Sequence, residues 1–315
     1  MNRFWKQTWF RFIVVTLIFF IVTSPFIVLF GPFGNLRRAV VGAIIRSRHP
    51  FYITWLFDQD QLNEILGGVS SAPKQEILRF KAKTDNSLRL QKIEANRFVG
   101  YILEIPNPKR IQVATAADIN EKGDTTSNIC KNAGGVAAIN GGGFYDPNGT
   151  GTGRLPYGFI LHEGKYLLGK EVGPDERVDF IGMTKDGNLI AGEYNKRELK
   201  EMGAVEGLTF GPPLIMNGEK MIRSGDGGWG ISPRSAIGQK KDGTMLFVVI
   251  DGRQPGYSIG ATLLDMQNIL YEQGAYIAAN LDGGSSTTLY YNGKVVNKPA
   301  DLLGERMIPT AFIVK

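Results

Sequence analysis

From residue 98 to residue 314 the chain is cut, every few residues, by glycine-containing pairs set between short apolar runs. Phe159-Ile160-Leu161 and Tyr166-Leu167-Leu168 flank Glu163-Gly164, and two further runs flank Asp186-Gly187. Asn217-Gly218 follows a third, and Asp242-Gly243 separates residues 235–238 from residues 245–250. Such pairs supply the positive φ that a tight hairpin needs, so the spacing predicts consecutive antiparallel strands. Helical signals are few. Residues 125–132 open on Thr125-Thr126 and end at Gly134-Gly135, and residues 262–273 place Leu263, Met266 and Leu270 at helical spacing before Gly274. The fold expected is α+β: a largely antiparallel β-sheet core with a few packed helices.

The N-terminus is of a different kind. Residues 12–30 are 19 positions without a charge, long enough to span a bilayer. The run exceeds a signal-peptide core and no small-x-small cleavage site follows it, which favours an uncleaved, single-pass membrane anchor over a cleaved leader. The net charge of +6 belongs to this end. Residues 1–50 hold seven Lys/Arg and no acidic residue, leaving 29 basic against 30 acidic residues for the remainder. That distribution suits a membrane surface and argues against nucleic-acid binding. Basic residues lie on both sides of the span, so charge alone leaves orientation open. Division of the chain follows: an anchor with a basic flank over 1–34, a stalk or packed extension over 35–97, and the main domain over 98–315. Near the boundary, Asp60 to Leu66 reads as a short amphipathic helix stopped by Gly67-Gly68. One cysteine, Cys130, rules out an intrachain disulfide, and two histidines, His49 and His162, argue against a His-based zinc site.

Several loops share one arrangement, an apolar strand followed by a polar or charged group and small residues. Asn280-Leu281-Asp282-Gly283-Gly284-Ser285-Ser286 is the richest, with a carboxylate, two glycines and then a run of hydroxyls. Asn140-Gly141-Gly142-Gly143-Phe144, Arg234-Ser235-Ala236 and Asp251-Gly252-Arg253 repeat the pattern, and Gly304-Glu305-Arg306 precedes the last strand. If these strand ends converge, one pocket holds Asp282, Asp251 and Glu305 together with Arg234, Arg253 and Arg306. Arginine forks bind phosphate oxygens, and paired carboxylates work at an anomeric carbon. Taken singly, each group has a plain structural alternative: a surface ion pair for an arginine, a turn cap or local partner for Asp251 and Glu305.

In this order and spacing the five segments resemble the phosphodiester glycosidase family, over about residues 98–315. The resemblance implies removal of a sugar from a sugar-1-phosphodiester. Asp282 would then be catalytic with Asp251 or Glu305, and Arg234, Arg253 and Arg306 would hold phosphate. Asn140, Gly141, Gly142, Gly283, Gly284, Ser285 and Ser286 would bind the rest of the substrate. It further implies an extracytoplasmic domain on a cell membrane, since phosphodiester-linked glycans are envelope material, and the lone cysteine fits a bacterial envelope enzyme. No cofactor is required by these motifs, although the oxygen-rich loops could hold Ca²⁺. A non-catalytic glycan-binding or exopolysaccharide-assembly protein on the same fold is the competing expectation, and a phosphodiesterase cutting the P–O bond is a third.

Overall fold

The computed structural model describes residues 3–45, 51–66, 73–81, 83–146, 151–169, 171–223, 225–301 and 303–315. Three antiparallel sheets surround one core. The largest has seven strands, in spatial order Arg89–Glu94, Val99–Ile105, Met245–Ile250, Arg234–Lys240, Ala275–Leu281, Pro213–Met216 and Glu219–Lys220. A five-stranded sheet runs Lys294–Val295, Leu289–Tyr291, Ala137–Asn140, Thr310–Val314 and Ile111–Thr115. The other five-stranded sheet runs Lys165–Leu168, Ile160–His162, Ala204–Thr209, Val178–Thr184 and Leu189–Tyr194.

Side-chain alternation explains how the layers stack. In Met245–Ile250, Met245, Phe247 and Val249 enter the core shared by the three sheets. Leu246, Val248 and Ile250 face the other way, against Leu263, Met266 and Leu270 of helix Leu263–Glu272. Both faces are apolar because both are covered, which the period of two requires. The outer faces of the smaller sheets are closed in the same way, one by Ile129 and Cys130 of helix Thr126–Asn132, the other by Leu199 of helix Lys196–Glu201.

The turn signals hold. Asn217 and Gly218 both adopt positive φ, 54° and 81°, as a two-residue type I′ hairpin demands. Thr125 caps its helix through the Asn128 amide, and Thr262 caps the longer helix in a reciprocal box with Asp265. One expectation changes. The seven-stranded sheet starts ahead of residue 98, at edge strand Arg89–Glu94, and residues 73–81 lie along the domain as a packed extension. Gln75, for example, bonds the Leu189 carbonyl (2.6 Å) and the Ala191 amide (2.9 Å).

Helix Arg3–Phe30 contains a 22-residue stretch, Trp9–Phe30, long and apolar enough to cross a membrane, with none of it buried against the protein. Helices Gly34–Ile45, Phe51–Thr54 and Gln59–Leu66 form a small cluster around Val41, Ile53, Phe57 and Leu62. The glycine pair 67–68 and His49 lie outside the described residues.

Candidate active site

Antiparallel pairing brings the signalled strand ends to one edge of the large sheet. Arg234 opens its strand opposite Ile250, and Ser235 lies opposite Leu281, so Arg234, Asp251 and Asp282 sit at the same end of three neighbouring strands. Asn140 closes a strand of the adjoining sheet and reaches across. Its Nδ2 donates to the Asp282 carbonyl (2.6 Å), and its Oδ1 accepts from Ser235 Oγ (2.6 Å) and the Thr288 amide (3.1 Å). Asn140 is fully buried. Its side chain thus holds the Asp282 loop in place and does not reach a sugar hydroxyl. Gly141 and Gly142 are also internal, with their amides on the Thr310 carbonyl (2.8 Å) and Thr310 Oγ1 (3.3 Å). Their lack of a Cβ serves packing against Thr310 and Leu208, not approach of a ligand.

Asp282 stands in a cationic, hydroxyl-rich setting. Burial pushes its carboxyl up to about 6, against the pull of Ser286, Arg306, the Gly283 amide and Arg253. Burial likewise lowers the Arg234 guanidinium to about 10; Arg253 adds to the effect, while Asp226, Asp265 and Asp282 oppose it. Arg234 is 3% exposed and donates to the carbonyls of Ala261 (3.1 Å), Trp229 (2.8 Å) and Gly230 (2.6 Å). Arg253 is exposed and donates to Ser232 Oγ (3.1 Å) from a backbone at φ 58°, a strained conformation for a long side chain. Arg306 pairs with Asp146 (2.8 Å) and lies over the Phe144 ring. The Asp282, Arg234, Arg253 and Arg306 charges therefore act on one another in one region.

Gly283 and Gly284 form the turn after Asp282. A Cβ on Gly283 would sit 2.7 Å from the Pro233 carbonyl, and Gly284, at φ 61°, leaves room for the Arg253 guanidinium. Ser285 Oγ faces that guanidinium at 3.5 Å. Ser286, Thr287 and Thr288 are buried with hydroxyls that have no hydrogen-bond partner among the described residues, as are Asn280 Oδ1 and Arg306 Nε. Ser286 lies near enough to the Asp282 carboxylate to stabilise its charge yet outside good hydrogen-bond geometry. Of these groups, Ser286 and Arg306 act directly on the Asp282 carboxylate.

Two expected members stand apart. Asp251 is 1% exposed, and its carboxylate is enclosed by its own donors: Asn297 Nδ2 (2.9 Å), the Lys298 amide (3.0 Å) and Tyr257 Oη (3.0 Å). The cause is parity. Asp251 continues the alternation of Phe247 and Val249 toward the inner core, whereas Arg234 and Asp282 share the parity of Ala236 and Ala278 on the outer face. Glu305 accepts from the Ser127 amide (3.0 Å) and from the Ser127 hydroxyl, capping the start of helix Thr126–Asn132. Among the described residues, no group of three or more His, Cys, Asp or Glu side chains is gathered for a metal ion.

Sequence reasoning passed over two groups. Tyr157, 48% exposed, has its hydroxyl pKa raised by burial and by Asp282, which puts that hydroxyl within electrostatic reach of the carboxylate. Asp146 fixes Arg306. Asp146 lies six positions beyond Asn140 in the same loop, a signal that was available; Tyr157 had none.

The chain belongs to the phosphodiester glycosidase family, whose model matches residues 133–315. It is 28% identical over 175 residues to bovine N-acetylglucosamine-1-phosphodiester alpha-N-acetylglucosaminidase, covering 48% of this chain and 33% of that protein. It is also 37% identical over 81 residues to YomE, an uncharacterized prophage-derived protein of Bacillus subtilis, covering 26% of this chain and 12% of that protein. The chain thus spans a third or less of these relatives. In three dimensions it resembles the zebrafish N-acetylglucosamine-1-phosphodiester alpha-N-acetylglucosaminidase catalytic domain auto-inhibited by its pro-peptide. The TM-score is 0.59 at 22% identity, covering 78% of this chain and 86% of that one, a likeness of fold.

Proposed function

We propose that this chain is a membrane-anchored, extracytoplasmic hydrolase that removes a sugar from a sugar-1-phosphodiester. The observation that carries this reading is a half-buried carboxylate, Asp282, within the field of three arginines and beside the Ser286 hydroxyl. Ordinary glycosidases need two carboxylates, one to protonate the departing alkoxide. A phosphomonoester departs as a stable anion and needs no proton. One carboxylate and a set of guanidiniums then suffice, which agrees with Asp251 and Glu305 being occupied elsewhere. Asp282 takes a proton from water as that water attacks the anomeric carbon. The bond from carbon to phosphate oxygen breaks, and Arg253 and Arg306 hold the phosphate as its charge grows. Arg234, almost closed to solvent, contributes field more than contact.

Hydrolysis in heavy-oxygen water is expected to place the label in the sugar; label in the phosphate would mean P–O cleavage and end this reading. The base must be ionised to act. With Asp282 raised to about 6, kcat/KM is expected to be low at pH 4.5, half-maximal near pH 6 and flat above pH 7, because the phosphodiester keeps one charge throughout. A profile that falls through pH 6 would instead make Asp282 a proton donor.

A further inference from the structure

The end of the apolar helix is joined to the candidate site by an unbroken line of packed groups. Leu29 packs on the cluster of Val41, Ile53, Phe57 and Leu62, and the Phe30 and Phe57 rings lie 5.5 Å apart. Arg37 donates to the Gly31 carbonyl (2.5 Å), tying helix Gly34–Ile45 to the last turn of the apolar one. On its other side, helix Gly34–Ile45 meets the loop 225–230 backbone to backbone. A Cβ on Gly42 would sit 2.5 Å from the Gly228 carbonyl, and one on Gly230 would sit 2.7 Å from the Ala39 carbonyl. That loop supplies the Trp229 and Gly230 carbonyls that hold Arg234.

The chain fixes how far this line can reach. The four steps from Phe30 to Gly34, fully extended, cover at most about 14 Å, and the rise from Gly34 to Gly42 adds about 12 Å. Gly42 therefore lies no more than roughly 26 Å from the end of the span, less than the ~30 Å thickness of a hydrocarbon core. The helical cluster also carries exposed Phe51, Tyr52 and Trp55, the last 75% exposed, residue types that settle at headgroup level. Exposed Ile231 and Ile259 border the strip that bears Ser232 and Arg253.

We propose that the site takes its sugar-1-phosphodiester from a donor borne by the same membrane, its sugar phosphate carried on a lipid tail, and not from free solution. The proposal rests on the glycosidase reading above and on Trp9–Phe30 acting as an anchor. Anchoring enzyme and donor to one surface replaces bulk encounter by a high effective concentration, which an exposed, arginine-bearing site held near the headgroups can use without tight binding. The acid-free N-terminal segment, with Arg37 and Arg38 on its second helix, suits an anionic surface.

The test uses the full chain reconstituted in vesicles of phosphatidylcholine and phosphatidylglycerol at about 4:1, which present a negative surface. A sugar-1-phosphodiester with a long lipid tail is compared with the same headgroup on a short, soluble alkyl chain. The tailed donor is expected to turn over at least about tenfold faster at equal bulk concentration. Inserting about 20 Gly/Ser residues within positions 31–33 frees the domain to wander some 25 Å; it is expected to reduce turnover of the tailed donor severalfold and leave the soluble one unchanged. Equal turnover of both donors by the unaltered chain, or equal loss on both in the insertion variant, overturns the membrane-donor proposal while the glycosidase reading stands. No turnover of either donor by the unaltered chain overturns both.

Discussion

Asp282→Asn is expected to abolish turnover and, at the same time, to make the protein more stable. The loss follows from removing the carboxylate proposed as the base: an amide takes no proton from water, and kcat should fall by about 10³-fold or more, the upper part of the range for general-base catalysis. The gain in stability follows from the raised pKa. An ordinary aspartate titrates near 3.8, and this one near 6. Its folded pKa lies above its unfolded one, so the group favours folding most below pH 4 and gives up that contribution as pH rises through 6. At neutral pH the fold is holding a charge it disfavours. Two pKa units correspond to a ceiling of about 3 kcal/mol, and partial exposure of the carboxylate reduces this to about 1 kcal/mol. Thermal melts should therefore show Asp282→Asn matching the parent at pH 4 and exceeding it by a few degrees at pH 7. Unchanged activity would remove Asp282 from the mechanism. A lower melting temperature at pH 7 would show that the charge is compensated and that the loop needs it.

This coupling of site and stability shows where sequence is informative and where it stops. The hairpins at Asp186-Gly187, Asn217-Gly218 and Asp242-Gly243 are legible because a tight turn is a local event, decided by positive φ at one or two positions. The partner sheet of each strand is not local. Val99–Ile105 and Ile111–Thr115 are separated by five residues, yet the first pairs with Met245–Ile250 in the large sheet and the second with Thr310–Val314 in another. Nothing in either run encodes that divergence; it comes from packing three sheets about one core. The site follows the same division. Asp282, Arg234, Arg253 and Arg306 do come within electrostatic reach of one another, because strand pairing brings the ends that bear Arg234, Arg253 and Asp282 to one edge of the sheet. Asn140 is legible as a polar group ending a buried strand, but its work is to brace the loop. Tyr157 came from a loop with no spacing signal and reaches the carboxylate only through the tertiary fold.

Asp251 provides the sharpest contrast with Asp282, since both are aspartates at the ends of the two strands that flank Arg234–Lys240 and both have pKa values raised by burial. Their expected responses to substitution differ because their surroundings differ. Asp251→Asn should remain active within about tenfold of the parent and fold normally. Its Oδ1 can still accept from Asn297 and the Lys298 amide, and the Tyr257 hydroxyl can rotate to accept from the new amide in place of donating. Asp251→Ala is expected to cost about 2–4 kcal/mol, because the Asn297 amide and the Lys298 N–H lose their acceptor in a nearly closed site. Asn297 also holds the Thr287 carbonyl and the Leu289 amide, so the damage spreads to the segment that follows the Asp282 loop. Chemical denaturation separates the two variants on stability, and kinetics on the folded fraction separates both from Asp282→Asn. If Asp251→Asn were as inactive as Asp282→Asn while equally well folded, the single-carboxylate mechanism would fail and Asp251 would return as the second catalytic group.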